Sequence, residues 1–147
     1  MLLGLDPLLT PDLLHALAAM GHGDCIALVD ANYPATRGRR LVPLAGAGIV
    51  PALRAVLSLL PIDTMVPNPA VVMQTVGGPE AVPPATAEIN EVLRAHGALA
   101  ARAIDRHEFY AAAEHAYAVV LTGERRFYGN VILSKGVVPP ITQQDLP

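Results

Sequence analysis

A short apolar run near the start of the chain, CIALV at residues 25–29, constrains the fold more than any other feature. The run contains no polar residue that would mark a side facing solvent, which is typical of strands covered on both faces. Strands of this kind occur in parallel sheets with helices packed on either side. The run therefore favours an α/β fold, and it raises the question of why Asp24 and Asp30 stand at its two ends.

The rest of the chain alternates between strand-like and helix-like patterns. Helical spacing predicts helices over residues 11–20, 48–60, 85–96 and 107–116, and apolar runs predict strands over 25–30, 39–45, 70–76, 117–123 and 130–137. Residues 98–105 fit either a helix end or a strand. We therefore predict one α/β domain over residues 1–147, with a largely parallel sheet flanked by helices.

Local signals predict where individual elements begin, end or lie. Thr10 and Pro11 form a helix start, with a threonine N-cap and a proline at the first helical position. Gly21 stands where a glycine commonly ends a helix. Pro43 cannot donate a hydrogen bond to a neighbouring strand, so the strand at 39–45 is expected at a sheet edge or a bulge.

Composition excludes several classes of protein. The chain has 147 residues, of which 52% are hydrophobic, enough for a buried core without metal or disulfide support. Its single cysteine, Cys25, rules out a disulfide framework and a multi-cysteine zinc site, and is expected to be a small core residue. No apolar run reaches the roughly 18 to 20 residues that cross a bilayer, and the interrupted N-terminus argues against a signal peptide. We therefore expect a soluble cytoplasmic protein without membrane contact.

The charge distribution argues against a nucleic-acid partner. The net charge is −3, and only RGRR, residues 37–40, approaches a basic cluster. Aromatic residues make up only 4% of the chain, too few for a base-stacking surface. We interpret RGRR as a solvated loop.

Most motifs that could carry chemistry are weak. GAGIVP, residues 46–51, lies where a phosphate-binding turn would stand, but Pro51 replaces the third glycine of the dinucleotide fingerprint. The histidines show no spacing suited to a metal, so no metal ligand and no cofactor is predicted. Neither serine lies in a nucleophile elbow.

Two polar clusters remain as candidates for a site. His22 lies in a glycine-flanked turn, and an imidazole can exchange protons near neutral pH. Asp30 follows the first strand, at the sheet edge where α/β proteins commonly bind ligands. The segment TGERRFYGN, residues 122–130, adds the phenol of Tyr128 and the amide of Asn130, which suit a polyhydroxylated ligand. By residue chemistry alone, a structural role for His22 remains the stronger of the two interpretations.

Two long segments resemble the fucose mutarotase and ribose pyranase family of sugar-anomer-converting enzymes. They are LLHALAAMGHGDCIALVDANYPA, residues 13–35, and YAVVLTGERRFYGNVILSKGV, residues 117–137. GHGD and DANYP are similar to the fucose mutarotase branch, whereas the pyranase branch tends toward G-H-T-D and D-A-G-L-P. Position 106 holds arginine, as in the fucose branch, where pyranases tend to carry histidine.

This resemblance implies a function and a site. It implies that His22 is the catalytic proton donor and acceptor, and that Asp30, Arg106 and the Tyr128–Gly129–Asn130 stretch bind a monosaccharide, with Asp30 either orienting His22 or holding a hydroxyl. Asp24 is interpreted as a turn residue, and His107 is left out of the site. The loop at residues 63–69 is a candidate for one more contact with the sugar, but it is rich in proline and has no confident match. The resemblance also implies a ring-forming homo-oligomer, typically a decamer of two pentamers.

Four functions are therefore weighed. The leading hypothesis is an isomerase that interconverts the α and β anomers of L-fucose or a similar sugar. D-ribose pyranase activity is its nearest rival, and a non-catalytic sugar-binding protein of the same fold is a rival from another class. Nucleotide binding through GAGIVP is the most remote alternative.

Overall fold

Six strands form one mixed sheet at the centre of the molecule, in the order β2-β5-β1-β6-β3-β4. This computed structural model describes residues 2–37, 40–78 and 80–140, with the Arg37 side chain left out. The strands are β1 (Cys25–Val29), β2 (Leu41–Leu44), β3 (Ala70–Met73), β4 (Arg102–Ile104), β5 (Ala118–Thr122) and β6 (Val131–Ser134). The expectation of a largely parallel sheet is confirmed, because the β1–β5, β2–β5 and β3–β4 pairs are parallel.

Strand β6 runs antiparallel to both of its neighbours, β1 and β3. Its first residue, Val131, therefore lies at the edge where the parallel strands end, and its last residue, Ser134, lies at the edge where they begin. We call these the carboxyl edge and the amino edge of the sheet. Polar segments on either side of β6 consequently reach opposite edges.

Helices cover both faces of the sheet, as the apolar run at 25–29 predicts. The helices are α1 (Pro11–Ala19), α2 (Ile49–Leu57), α3 (Pro84–Ala95) and α4 (Arg106–His115). Buried residues of α1, α2 and α3 pack in one core with Ile26 and Leu28 of β1. Phe109 of α4 packs on the opposite face with Ala27 and Val29. Successive β1 residues point to opposite cores, which is why the strand has no polar side.

The predicted helix start and edge strand are confirmed. The Thr10 side chain accepts a hydrogen bond from the backbone N–H of Leu13, and Pro11 is the first helical residue. Strand β2, which contains Pro43, lies at one edge of the sheet, and among the described strands it pairs only with β5. Within the described residues, no helix is long and apolar enough to cross a membrane.

Three details differ from the sequence expectations or refine them. The ambiguous segment at 98–105 contains a three-residue edge strand, β4. Gly21 does follow the helix cap Met20, but it does not adopt the left-handed backbone typical of a glycine at a helix end. The residue with that conformation is Gly23, whose φ is +85°. Of the RGRR loop, Gly38 and Arg39 lie outside the described residues.

Candidate functional site

Asp30 and Asn130 hold each other at the carboxyl edge of the sheet. The backbone N–H of Asp30 donates to Asn130 Oδ1 at 2.9 Å, and Asn130 Nδ2 donates to Asp30 Oδ2 at 2.8 Å. The backbone N–H of Asn32 donates to Asp30 Oδ1 at 2.9 Å. Each carboxylate oxygen retains a second lone pair, so this fixed carboxylate can still accept a hydrogen bond from a ligand hydroxyl.

Burial changes the acidity of this carboxylate. Asp30 is only 5% exposed, and its desolvation raises its pKa above the ordinary aspartate value. Hydrogen bonds from Asn32 and Asn130 oppose this rise, while the nearby negative charge of Glu124 adds to it. A buried carboxylate with a raised pKa at a cavity is a feature common in ligand and active sites.

Tyr128 lies beside this pair in an unusual backbone conformation. Its φ is +63°, the left-handed region that few non-glycine residues adopt. Its hydroxyl accepts a hydrogen bond from the backbone N–H of Val76 at 3.1 Å, and its carbonyl oxygen accepts one from Thr86 Oγ1 at 3.3 Å. Because the Val76 contact uses the phenol oxygen as an acceptor, the phenol proton remains available to donate to a ligand.

Glu124 organises the loop that carries Tyr128. Its backbone carbonyl accepts from the N–H of Ala31 at 2.8 Å, which joins the loop to the end of β1. Its carboxylate accepts from Arg126 Nε and Nη2, both at 2.9 Å. Gly129 packs against it so closely that a Cβ there would lie 2.7 Å from Glu124 Cγ. The glycine of the YGN stretch is therefore required by this contact, in addition to any contact with a ligand.

The Asp30, Tyr128 and Asn130 side chains line one cavity of about 340 Å³. Its remaining lining residues are Asn32, Tyr33, Met73, Tyr110 and Phe127. The volume is at the small end of the range for ligand pockets, about 300 to 1,000 Å³. We call it the tyrosine cavity; its mixture of aromatic surface and fixed polar groups suits a small polyhydroxylated molecule.

Arg106 lines a second cavity at the carboxyl edge, about 370 Å³ in volume. It is exposed at the start of α4, and its Nε donates to His107 Nε2 at 3.3 Å. The segment 74–77 lines the same cavity and includes Val76, whose N–H contacts the Tyr128 hydroxyl. Arg106 is thus separated from the tyrosine cavity by one loop, and His107, left out on sequence grounds, stands beside it.

His22 lies at the opposite edge of the sheet. Strand β1 separates it from Asp30, and the five strand residues alone span about 13 Å at about 3.3 Å per residue. Its Nε2 instead lies 3.1 Å from Oδ2 of Asp63. Asp30 therefore does not orient the His22 of its own chain, and the sequence expectation of that role is corrected: Asp63 is the partner.

Sequence reasoning named Asp63 only as part of a loop that could add a contact. It did not identify Asp63 as the partner of His22, because the loop is broken by prolines and has no matching motif. Asp63 is 1% exposed, and burial of an aspartate in such a loop has no signature in the sequence. The turn role expected for Asp24 is confirmed, since its Oδ2 accepts from the N–H of Gly21 at 2.7 Å. Cys25 is only partly buried, and its Sγ lies 3.3 Å from Ser134 Oγ.

The position that a bound phosphate would take at GAGIVP is already filled. Gly48 caps α2, and the first helical N–H, from Ile49, points to Glu124 Oε2 at 3.4 Å. A helix N-terminus favours an anion, and here the protein supplies its own carboxylate. Among the described residues, no group of three or more His, Cys, Asp or Glu side chains could hold a metal ion.

Comparisons with known proteins identify the family of this chain. A sequence model of the RbsD / FucU transport protein family matches residues 3–138. Human fucose mutarotase is 47% identical over 143 residues, covering 92% of this chain and 93% of that protein. The L-fucose mutarotase of Histophilus somni strain 2336 is 41% identical, covering 95% of this chain and 99% of its own length.

A solved structure shares the fold closely. The fucose mutarotase of Streptococcus pneumoniae in complex with L-fucose matches with a TM-score of 0.89 and 36% sequence identity, over 94% of this chain and 100% of that chain. The family match extends across the segments that carry His22, Asp30, Arg106 and Tyr128. The chain therefore belongs to the RbsD / FucU family.

Proposed function

We propose that the protein is an isomerase that interconverts the α and β anomers of L-fucose or a closely similar monosaccharide. The similarity to fucose mutarotases over nearly the whole chain supports the reaction. The single observation that carries the proposal is the tyrosine cavity, in which Asp30, Asn130 and Tyr128 are held by mutual and backbone hydrogen bonds. A free cysteine without a disulfide fits a reducing compartment, and we place the reaction in the cytoplasm.

The reaction requires two proton transfers and no cofactor. A base takes the proton from the anomeric hydroxyl, the bond between C1 and the ring oxygen breaks, and an acid protonates that oxygen. The open aldehyde rotates about C1–C2, and the reverse transfers close the ring on its other face. In this proposal His22 is the base and Tyr128 donates to the ring oxygen, while Asp30, Asn130 and Arg106 bind hydroxyl groups.

The positions of these groups support a site shared between two copies of the chain. Within one chain, β1 separates His22 from the tyrosine cavity, which is too far for both to touch one monosaccharide. Two copies that meet head to tail would bring the amino edge of one to the carboxyl edge of the next. Such heterologous contacts close into rings, which is consistent with the proposed decamer of two pentamers.

Exposed apolar residues at both edges support the same contact. Phe127 at the carboxyl edge is 74% exposed, and Val76 is 64% exposed. At the amino edge, Met65 and Val66 follow Asp63 in the chain and are 70% and 40% exposed. Leu99, which lines the same cavity as Asp63, is 76% exposed. Large apolar groups clustered at both ends fit an assembly that covers them.

A second function is favoured by that same separation. If the chain stays a monomer, the tyrosine cavity lacks His22, and the protein would bind a sugar without turning it over. D-ribose pyranase activity is the rival within the isomerases. Arg106 and the GHGD and DANYP segments support the fucose assignment over it.

Exchange NMR on a panel of sugars tests the proposal. We expect the protein to accelerate exchange between the anomeric signals of L-fucose, and to act less on the pyranose and furanose forms of D-ribose. Saturation transfer measured with and without protein gives both rates. Exchange no faster than in buffer would refute the enzyme, and binding without faster exchange would favour the non-catalytic alternative.

A further inference from the structure

Ser134, the last residue of β6, and Lys135 directly after it form backbone hydrogen bonds with the two segments that carry His22 and Asp63. On one side, the N–H of Gly23 donates to the carbonyl of Lys135 and the N–H of Lys135 donates to that of Asp24, each at 2.9 Å. On the other side, the N–H of Asp63 donates to the carbonyl of Ser134 at 3.1 Å. The backbone segments that carry the imidazole and the carboxylate are thus both hydrogen-bonded to the end of β6.

A glycine makes the close approach on the Asp63 side possible. A Cβ at Gly136 would lie 2.6 Å from the carbonyl oxygen of Ile62 and 2.9 Å from Asp63 Cα. The N–H of Gly136 also donates to the carbonyl of Pro61 at 2.8 Å. The backbone position of Asp63 is therefore set by packing as well as by hydrogen bonds.

The carboxylate of Asp63 has two acceptor contacts and little solvent. The N–H of Met65 donates to its Oδ1 at 2.8 Å, and His22 Nε2 contacts its Oδ2 at 3.1 Å. The Asp63 side chain is 2% exposed, while that of His22 is 44% exposed. Among the described residues, His22 is the only basic side chain that contacts the Asp63 carboxylate. The nearby Lys135 Nζ donates to the carbonyls of Leu17 and Met20 instead.

We propose that Asp63 is a positioning residue that holds neutral His22 with its proton on Nε2, so that Nδ1 is the atom that exchanges a proton with the sugar. An ionised carboxylate only accepts hydrogen bonds, so the nitrogen facing it must carry a proton. The lone pair of Nδ1 is then left on the exposed side of the ring. This inference rests on the proposed function for the identity of the substrate.

The proposed proton path follows from this geometry. Nδ1 accepts the proton of the anomeric hydroxyl, the imidazole becomes a cation, and the buried Asp63 carboxylate stabilises that cation at 3.1 Å. When the ring closes, Nδ1 returns the proton to the new anomeric oxygen. In this path Asp63 acts on the reaction only through His22, and its own proton count does not change.

Nitrogen NMR tests the tautomer without any sugar. Histidines of the full-length protein are labelled with ¹⁵N, and magic-angle-spinning spectra of sedimented protein are assigned by comparison with His22→Gln. We expect His22 at neutral pH to show a protonated Nε2 and an unprotonated Nδ1. We expect Asp63→Asn, whose amide can donate as well as accept, to lose this preference. A wild-type His22 with its proton on Nδ1 would overturn the inference.

Kinetics test the consequence for turnover. Asp63→Asn should lower kcat by roughly 10²-fold, the lower end of what acid–base groups contribute, and leave KM almost unchanged. Asp24→Asn is the matched control, since it removes an equal charge from the turn that carries His22 and should keep wild-type kcat. In a His22→Gln background, Asp63→Asn should cause no further loss. An equal loss in both backgrounds would contradict a role exerted through His22.

Two further measurements distinguish a loss of the positioning role of Asp63 from a loss of the fold. Thermal unfolding identifies an Asp63→Asn protein that has lost its fold, and Asp63→Glu, which keeps the carboxylate, should restore the Nε2-protonated tautomer. If wild-type protein does not accelerate anomer exchange, the proposed function fails, but the tautomer measurement still decides whether Asp63 sets the proton position.

Discussion

At the scale of the residue, the most strongly bound carboxylate in the described chain is that of Glu124. Arg126 donates to both of its oxygens and also pairs with Glu88 through contacts of 2.7 and 3.0 Å. The Arg126 hydrogen bonds are the main reason that the pKa of Glu124 falls from 4.5 to about 2. The pKa of Asp30 is instead raised, chiefly by burial and also by the negative charge of Glu124, so the pKa values of the two acids shift in opposite directions.

Glu124→Gln should lower the free energy of unfolding at pH 7, and by less at pH 3. A carboxylate with a lowered folded-state pKa stabilises the fold above its unfolded pKa, here 4.5, and loses that contribution as the pH falls toward about 2. We expect a loss of about 1–3 kcal/mol at pH 7, as for a hydrogen bond to a charged group. Urea unfolding at both pH values measures the difference.

Glu114→Gln is the control for this experiment. Glu114 is exposed on α4, and its substitution removes the same charge with an expected effect within about 0.5 kcal/mol at either pH. A pH-independent cost for Glu124→Gln would contradict the proposed source of the stabilisation. It would point instead to a change in side-chain packing or hydrogen bonding that does not depend on the charge of the carboxylate.

At the scale of the element, the only lysine connects the end of β6 to the end of α1. Lys135 Nζ donates to the carbonyls of Leu17 and Met20 at 2.8 and 2.6 Å. Carbonyls at a helix C-terminus lack partners within the helix, and a cation there also balances the helix dipole. The turn that contains His22 begins directly after Met20. The Lys135 contact therefore helps to fix the position of this turn relative to β6.

Lys135→Met should destabilise the protein by about 1–2 kcal/mol, since it keeps the apolar stem and removes the charged donor. Arg94→Met is the comparison, because Arg94 is an exposed cation in the last turn of α3 and should cost less than about 0.5 kcal/mol. Chemical unfolding curves of both variants give the values. Equal costs would indicate that the Lys135 contacts contribute nothing beyond an ordinary surface charge.

At the scale of the whole molecule, the sheet places the two halves of the site at opposite edges. If His22 and the tyrosine cavity act on one sugar, as proposed, two copies of the chain must supply them, so the proposed activity depends on assembly. A head-to-tail contact pairs the His22 of one subunit with the Tyr128 of the next. Each site in such a ring would then belong to two chains.

Mixing two inactive variants tests this dependence. His22→Gln and Tyr128→Phe subunits, exchanged at equal amounts, should recover about a quarter of wild-type exchange, the fraction of random contacts that hold both intact groups. Saturation-transfer NMR measures the rate, and sedimentation confirms that mixed oligomers form. The same variants combined without subunit exchange are the control. Activity that never rises above the mean of the two parents would place the whole site within one chain.

The residue pattern was sufficient for most elements of the fold. Apolar runs at 25–29 and 118–122 identify central strands, and Pro43 identifies an edge strand, because burial and hydrogen-bond donors act locally. The antiparallel direction of β6 and the three-residue β4 were not predictable in this way. Strand direction depends on how the connection crosses the sheet, and a three-residue strand leaves too short a pattern to distinguish.

For the site, the sequence by itself determined which chemistry is available: the imidazole of His22, the carboxylate of Asp30, and the phenol and amide of the YGN stretch. Only the tertiary structure decided which groups meet. It joined Asp30 to Asn130, a hundred residues away, and His22 to Asp63, and it separated these two pairs across β1. The physical reason is that side-chain chemistry is a local property, whereas contacts between distant residues depend on strand order and direction, which no short segment encodes.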